Sequence, residues 1–251
     1  MNAERKPLFL LADSRPLFRN GGDRVLSALQ ESLQVSARNV TRAAYIGASN
    51  GDAPRFYELF VAAMDGIDLH DSRMIRAEFD SDDQAFLEGA DLVLLAGGDT
   101  DDGWKIMRDT GMDAVITKQY YAGAVIVGVS AGAVQLGMGW SARDDAGAAG
   151  GLKLLPYYVD VHDERQDWSR LRTLVAAREE YAKGFGIPSG GAMIYHADMS
   201  VEAVTYPIVE FEKSVKESGR MTGNLLLPVA PAHTATLGRI DKQHPIDECL
   251  S

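Results

Sequence analysis

The pentapeptide Gly128-Val129-Ser130-Ala131-Gly132 combines residue types and spacing that suit a nucleophilic serine. It follows an apolar run typical of a buried strand and precedes a stretch with helical spacing, as the G-x-S-x-G nucleophile elbow requires. Such a turn strains the serine backbone, so small residues are needed two positions before and after it. The pattern predicts Ser130 Oγ at the carboxyl end of a sheet and at a helix N-terminus, where developing negative charge is favoured. The alternative is a tight, glycine-flanked junction without chemistry.

A second glycine-rich segment, Gly97-Gly98-Asp99-Thr100, ends another apolar run. Two glycines at the carboxyl edge of a parallel sheet let backbone N–H groups approach a ligand closely. We therefore predict an oxyanion hole made of the N–H groups of Gly98 and Ala131, with Asp99 and Thr100 beside the substrate. Taken alone, the segment is also compatible with a plain turn.

A serine nucleophile needs a base, and His162 is the best-placed candidate. The five histidines of the chain are His70, His162, His196, His233 and His244. His162 ends a strand-like run (157–161), and a triad histidine belongs at the carboxyl edge of a sheet. His196 lies near a predicted turn, where a solvated histidine is expected, and His233 and His244 lie in the tail.

The elements that must position these residues follow an alternating pattern of short apolar and longer amphipathic segments. The predicted strands are 8–12, 43–47, 92–96 and 124–128, and the predicted helices include 23–33, 112–121 and 131–138. Continuous apolar strands separated by helices are buried on both faces. The fold class is therefore α/β, with a doubly wound, mostly parallel sheet and helices on both faces.

The second half of the chain is less regular. We predict a loop over 142–151, a charged helix over 168–183, and a C-terminal β-hairpin from strands 192–196 and 201–205. Because no repeat or linker marks a second domain, residues 1–222 are interpreted as a single domain. Residues 223–251 are interpreted as a tail that wraps the surface or is partly mobile.

The composition and charge of the chain disfavour several classes of function. With 36 Asp and Glu against 25 Lys and Arg, the formal charge is −11, which disfavours nucleic-acid binding. The one cysteine, Cys249, cannot form an internal disulfide, and no apolar run reaches the about 20 residues of a membrane span. We expect a cytoplasmic protein with no membrane or nucleic-acid partner; a homodimer is left open. No cofactor is expected, because neither zinc spacing nor a nucleotide fingerprint occurs.

Taken together, these motifs resemble the peptidase E and cyanophycinase family of serine peptidases. The resemblance rests on Gly-Val-Ser-Ala-Gly-Ala (128–133), Ala-Gly-Gly-Asp-Thr (96–100) and Val-Asp-Val-His (159–162). It implies a class I glutamine amidotransferase-like fold and cleavage beside aspartyl residues. In the matching positions, Ser130 is the nucleophile, His162 is the general base, and Gly98 and Ala131 form the oxyanion hole.

One departure from the family pattern concerns the acid that orients the histidine. The family carries a segment similar to Gly-Ile-Asp-Glu, whereas this chain has Gly186-Ile187-Pro188-Ser189. Loss of the acid costs about 10⁴ in rate in a related triad. The candidates for the third member are Ser189, through a neutral hydrogen bond, and Asp160 or Asp163, the carboxylates nearest in sequence.

Substrate recognition is expected to use arginine, because the family binds acidic side chains. Arg165 and Arg170 are the candidate carboxylate anchors, although solvated arginines on a helix are the plain alternative. Acidic clusters at 80–83 and 99–102 fit helix N-termini better than a metal site. The leading hypothesis is a hydrolase of small peptides or isopeptides, including dipeptides. The alternatives are an inactive binding or accessory protein, and serine-dependent acyl transfer in a specialised pathway.

Overall fold

The computed structural model describes residues 5–18, 24–34, 41–141, 148–214 and 221–228, which form thirteen strands and seven α-helices. The strands are β1 (Leu8–Leu11), β2 (Arg42–Ile46), β3 (Asp71–Ile75), β4 (Leu92–Leu95), β5 (Val125–Val129), β6 (Gly139–Ser141), β7 (Ala148–Gly150), β8 (Tyr158–Val161), β9 (Ala182–Ile187), β10 (Ala192–Tyr195), β11 (Val201–Val204), β12 (Ile208–Lys213) and β13 (Met221–Leu226). The helices are α1 (Arg24–Gln34), α2 (Pro54–Asp65), α3 (Ser81–Leu87), α4 (Thr100–Thr110), α5 (Met112–Tyr121), α6 (Ala131–Leu136) and α7 (Ser169–Ala176). No helix of the described ranges is long and apolar enough to cross a membrane.

The main sheet has seven strands in the order β11-β10-β1-β5-β4-β2-β3. Strands β1 to β5 are parallel neighbours, and β10 and β11 add an antiparallel hairpin at one edge. Alternate residues of one strand enter opposite cores: Leu8 packs into one cluster and Phe9 into the other. Helices cover both faces, with α1 and α2 on one side and α4 to α6 on the other. The predicted doubly wound fold and its C-terminal hairpin are confirmed.

The predicted helix over 168–183 is wrong in its second half. Helix α7 ends at Ala176, and β9 begins at Ala182 in a second sheet with the order β13-β12-β9-β8. Two glycines allow this strand to lie close beneath the helix and the residue before it. A Cβ on Gly184 would lie 2.7 Å from Leu171 Cδ1, and one on Gly186 would lie 2.5 Å from Trp168 Cε3. Their missing side chains let α7 pack directly on β9.

One further predicted segment differs from the structure. Part of the predicted loop 142–151 is strand β7, which pairs antiparallel with β6, while 142–147 lie outside the described residues. Strand β13 pairs with β12 across the predicted domain boundary at 222 and 223. Because 229–251 lie outside the described residues, the surface-wrapping or mobile tail stays a prediction.

Candidate active site

Ser130 occupies a strained turn between β5 and α6. Its φ of 51° and ψ of −111° are unusual for a residue with a Cβ, and such conformations cost about 1–3 kcal/mol. The flanking glycines are needed for close packing. A Cβ on Gly128 would lie 2.6 Å from Ala133 N, and one on Gly132 would lie 2.2 Å from Leu95 O. The Ser130 N–H donates to Leu11 O at 2.8 Å, which anchors the turn to β1.

Gly98 lies opposite this turn, in the connection from β4 to α4. Its φ is 143°, and a Cβ would lie only 1.9 Å from Ser49 O, so no other residue fits. Within the described ranges, no carbonyl accepts a hydrogen bond from the backbone N–H of Gly98 or Ala131. Both residues line a polar cavity together with Ser130. Two backbone donors are therefore available beside the serine.

The buried side chain of Gln135 supports this arrangement. This residue was not identified from the sequence. Its side chain is fully buried, and Nε2 donates to Ser49 Oγ at 3.1 Å and to Thr100 O at 3.0 Å. It therefore ties α6, which follows the serine, to the loops that hold Gly98. A glutamine inside a helix carries no sequence signal for this role, because its acceptors come from distant segments.

His162 follows β8 at the carboxyl edge of the second sheet. Its backbone has a φ of 60°, and its N–H donates to Ile187 O at 3.3 Å. The ring makes one hydrogen bond with a described residue, between Nδ1 and Ser189 Oγ at 2.9 Å. His162 and Ser130 form no hydrogen bond with each other, but both line the same two cavities. Catalytic hydrogen bonds often close only when substrate binds.

Of the three candidates for the third member, Ser189 is the one that contacts His162. The two aspartates face Arg170 instead: Asp160 Oδ1 lies 2.9 Å from Arg170 Nη2, and Asp163 Oδ1 lies 3.6 Å from Arg170 Nε. Asp163 is buried and also accepts from the Arg170 N–H at 3.3 Å. Both aspartates are therefore engaged away from the histidine.

A carboxylate that the sequence did not single out, Glu164, lies behind Ser189. Glu164 Oε1 accepts from the Ser189 N–H at 3.3 Å. Partial burial raises the pKa of Glu164, but hydrogen bonds from the Ser189 side chain, from backbone N–H groups and the nearby His162 outweigh it, so the pKa lies below its usual value. Glu164 is thus an anion at neutral pH, and Ser189 lies between its carboxylate and the imidazole of His162.

Asp13, also not identified from the sequence, holds the loop that carries Ser189. It follows β1, and its Oδ2 accepts from the Gly190 N–H at 2.7 Å, while Oδ1 accepts from Arg15 Nε at 2.9 Å. Burial raises the pKa of Asp13, but the bonds from Arg15 and Gly190 bring it below its usual value. A charged side chain at the end of a strand gives no hint of which distant loop it binds.

The predicted substrate-binding residues separate into two groups. Arg170, Asp99 and Thr100 line the polar cavity, whereas Arg165 is exposed and lies outside its lining.

Asp99 also caps α4, accepting from the N–H groups of Asp101 and Asp102 at 3.0 Å each. Asp80 caps α3 in the same way, so helix capping accounts for both acidic clusters. Within the described ranges, no group of His, Cys, Asp or Glu side chains is arranged to hold a metal ion.

Two cavities meet at the candidate site. The polar cavity has a volume of about 430 Å³ and contains Asp99, Asp101, Asp160 and Arg170. The second, apolar cavity of about 260 Å³ lies among β1, β2, β4 and α2. Their shared lining consists of Gly98, Ser130 and His162. A carbonyl bound beside Ser130 would therefore lie at the boundary between a polar and an apolar space.

Comparison with known proteins places this chain in a family. The chain matches the model of Peptidase family S51 over residues 10–202. YgaJ of Bacillus subtilis (strain 168), an uncharacterized peptidase, is 24% identical over 192 residues, which are 72% of this chain and 80% of that protein.

Two solved structures share the fold. A peptidase from an acI-B1 Actinobacterium superposes with a TM-score of 0.62 at 13% identity, covering 88% of this chain and 97% of that chain. A putative peptidase E protein from Listeria monocytogenes EGD-e gives a TM-score of 0.57 at 18% identity, covering 79% and 98%. At these identities the structures support the fold, while the family model spans most of the chain. The chain therefore belongs to Peptidase family S51, as its resemblance to peptidase E predicts, and its enzyme class is that of a serine peptidase.

Proposed function

We propose that the protein hydrolyses small peptides with Ser130 as nucleophile and His162 as general base. The observation that carries the proposal is the strained Ser130 turn, with two free backbone N–H groups beside it and His162 in the lining of both cavities. Strain of this kind persists only where the surrounding structure enforces it, and it clusters at reactive sites.

The reaction follows from these positions. Ser130 Oγ attacks the peptide carbonyl while His162 Nε2 takes its proton, and the N–H groups of Gly98 and Ala131 stabilise the oxyanion. The protonated imidazole then gives this proton to the leaving amine, and the C–N bond breaks. Water repeats the sequence on the acyl-enzyme and releases the acid. No other reactant is needed.

Ser189 and Glu164 orient the base in this proposal. For Nε2 to accept a proton, the proton of the neutral ring must sit on Nδ1, which then donates to Ser189 Oγ. The Ser189 hydroxyl proton is left free to point at the Glu164 carboxylate. A chain of two hydrogen bonds thus ends on an anion and favours both the productive tautomer and the imidazolium.

The finer part of the proposal concerns an acidic residue beside the cleaved bond. Arg170 is the cation in the described lining of the polar cavity, and its Nε and Nη2 bind Asp160, while Nη1 has no hydrogen bond with a described residue. Nη1 can therefore bind a substrate carboxylate. Because three carboxylates share this described lining with one guanidinium, we expect weak binding and a high KM for acidic substrates.

Covalent labelling tests the nucleophile. A fluorophosphonate probe should label wild type much faster than His162→Ala, and it should not label Ser130→Ala. Ser141→Ala is the matched control, since Ser141 lines the same polar cavity on an ordinary strand. Equal labelling of wild type and Ser130→Ala would overturn the proposal.

Peptide turnover tests the specificity. Hydrolysis of Asp-containing dipeptides should exceed that of their Asn isosteres, and Arg170→Met should remove the difference. If Ser130 is labelled but no aspartyl peptide is hydrolysed, the acidic specificity is wrong.

One observation favours a second candidate, a binding protein on the same scaffold. A neutral serine stands where the family has its acid, and Ser130 and His162 form no hydrogen bond with each other. Peptide binding by calorimetry without labelling or turnover would support this candidate over the peptidase.

A further inference from the structure

We propose that the apolar cavity beside Ser130 binds a large apolar side chain of the substrate, on one side of the cleaved bond. This inference rests on the proposed function and adds a substrate class to it. The substrate would then carry a leucine-like or phenylalanine-like residue next to the residue held in the polar cavity.

The walls of the cavity have the chemistry for such a side chain. They are formed by Leu17, Tyr45, Phe56, Leu59, Phe60 and Leu94. The volume of about 260 Å³ is ample, since an engineered cavity of about 150 Å³ in another protein holds benzene. Phe56 and Leu59 remain 38% and 44% exposed, and exposed apolar surface beside a reactive group marks a binding site.

Charge argues against an acidic side chain in this cavity. Asp13 lies in its lining and is an anion whose hydrogen bonds go to Arg15 and Gly190. A second carboxylate here would lose its hydration against aromatic walls and face Asp13 without a free cation in the described lining. The two cavities therefore differ in what they can accept.

The position of the cavity fits a residue directly beside the cleaved bond. Both cavities share Gly98, Ser130 and His162, so the scissile carbonyl lies at their boundary. In an extended peptide, successive side chains point to opposite sides. One flanking side chain would then enter the polar cavity, and the other would enter the apolar one.

A peptide series tests the proposal. One residue flanking the cleaved bond is kept as Asp, and the other is Leu, Phe, Ala or Asp, in both orders. In one of the two orders, we expect kcat/KM for Leu and Phe to exceed that for Ala by about tenfold or more, as burial of such a side chain implies. Equal kcat/KM for Leu, Phe and Ala in both orders would overturn the inference.

A variant and its control sharpen the test. Leu59→Glu puts a charge at the mouth of the cavity on an exposed face of α2, and should lower kcat/KM for Leu and Phe peptides about tenfold more than for Ala peptides. Met199→Glu is the control, because Met199 is 62% exposed in the β10–β11 turn, outside both cavities. An equal loss for all peptides would count against the apolar site, and the wild-type series decides if Leu59→Glu fails to fold.

Binding separates this inference from the proposed function. With Ser130→Ala, calorimetry with the same peptides needs no turnover. Tighter binding of Leu and Phe peptides than of Ala peptides supports the apolar site even if wild type hydrolyses none of them. Equal affinities overturn it even if Ser130 proves to be the nucleophile.

Discussion

Removing the charge of Glu164 should slow catalysis modestly, because Glu164 acts on His162 only through Ser189. Two hydrogen bonds in series place its carboxylate roughly 5 Å from Nδ1. Glu164 and His162 are both exposed, so water screens their direct attraction, and the hydrogen bond that the Ser189 hydroxyl gives the carboxylate accounts for about 1 kcal/mol. Glu164→Gln should therefore lower kcat/KM about fivefold. This is far less than the loss of a directly bound acid.

Steady-state hydrolysis of a peptide that wild type cleaves is the assay. Loss of the carboxylate removes an anion that stabilises the imidazolium formed during the reaction, so kcat/KM should fall. Ser189→Ala should cost about tenfold, because it removes the acceptor of Nδ1–H where water can partly replace it. Glu180→Gln, an exposed glutamate between α7 and β9, is the matched control.

The double variant decides whether Glu164 works through Ser189. Once Ser189 is alanine, Glu164→Gln should cost almost nothing more, because the hydrogen-bonded connection is already broken. Fully additive losses would refute the relay. So would a kcat/KM of Glu164→Gln that equals that of Glu180→Gln.

Three further outcomes follow from the structure. Gly98→Ala should lower the free energy of unfolding, measured with urea, by more than about 2 kcal/mol, because its Cβ would overlap Ser49 O. The same variant should lose activity. Arg170→Met should lower stability by about 1–3 kcal/mol in the same assay, since buried Asp163 loses its cation; unchanged stability would show that the pair is solvent-screened. The Arg24 hydrogen bond holds the pKa of Glu202 below its usual value, so its stabilisation is complete above about pH 4.3 and is lost as pH falls further. Thermal melts at pH 6 and pH 3 should therefore differ more for wild type than for Glu202→Gln, and parallel curves would contradict this.

Local features of the chain were predictable because they depend on short spacings. The glycines on either side of Ser130 allow close packing that a Cβ would prevent, and Gly98 has a φ that favours glycine, so both turns are visible in the sequence. Continuous apolar strands likewise predict a sheet covered on both faces. The segment over 177–183 misled, because its charged residues are as compatible with the end of a helix as with a loop and the start of a strand.

The sequence by itself determined the Ser130 turn, the parallel sheet and the family, whereas only the tertiary structure decided what supports His162. Asp160, Asp163 and Glu164 all lie within two residues of His162, yet both aspartates bind Arg170. Ser189 reaches Nδ1 because β8 and β9 pair in parallel with Val161 opposite Ile187, which brings the ends of both strands together. The physical reason is general: spacing along one segment constrains its own backbone, but a side chain's contacts depend on the register between segments.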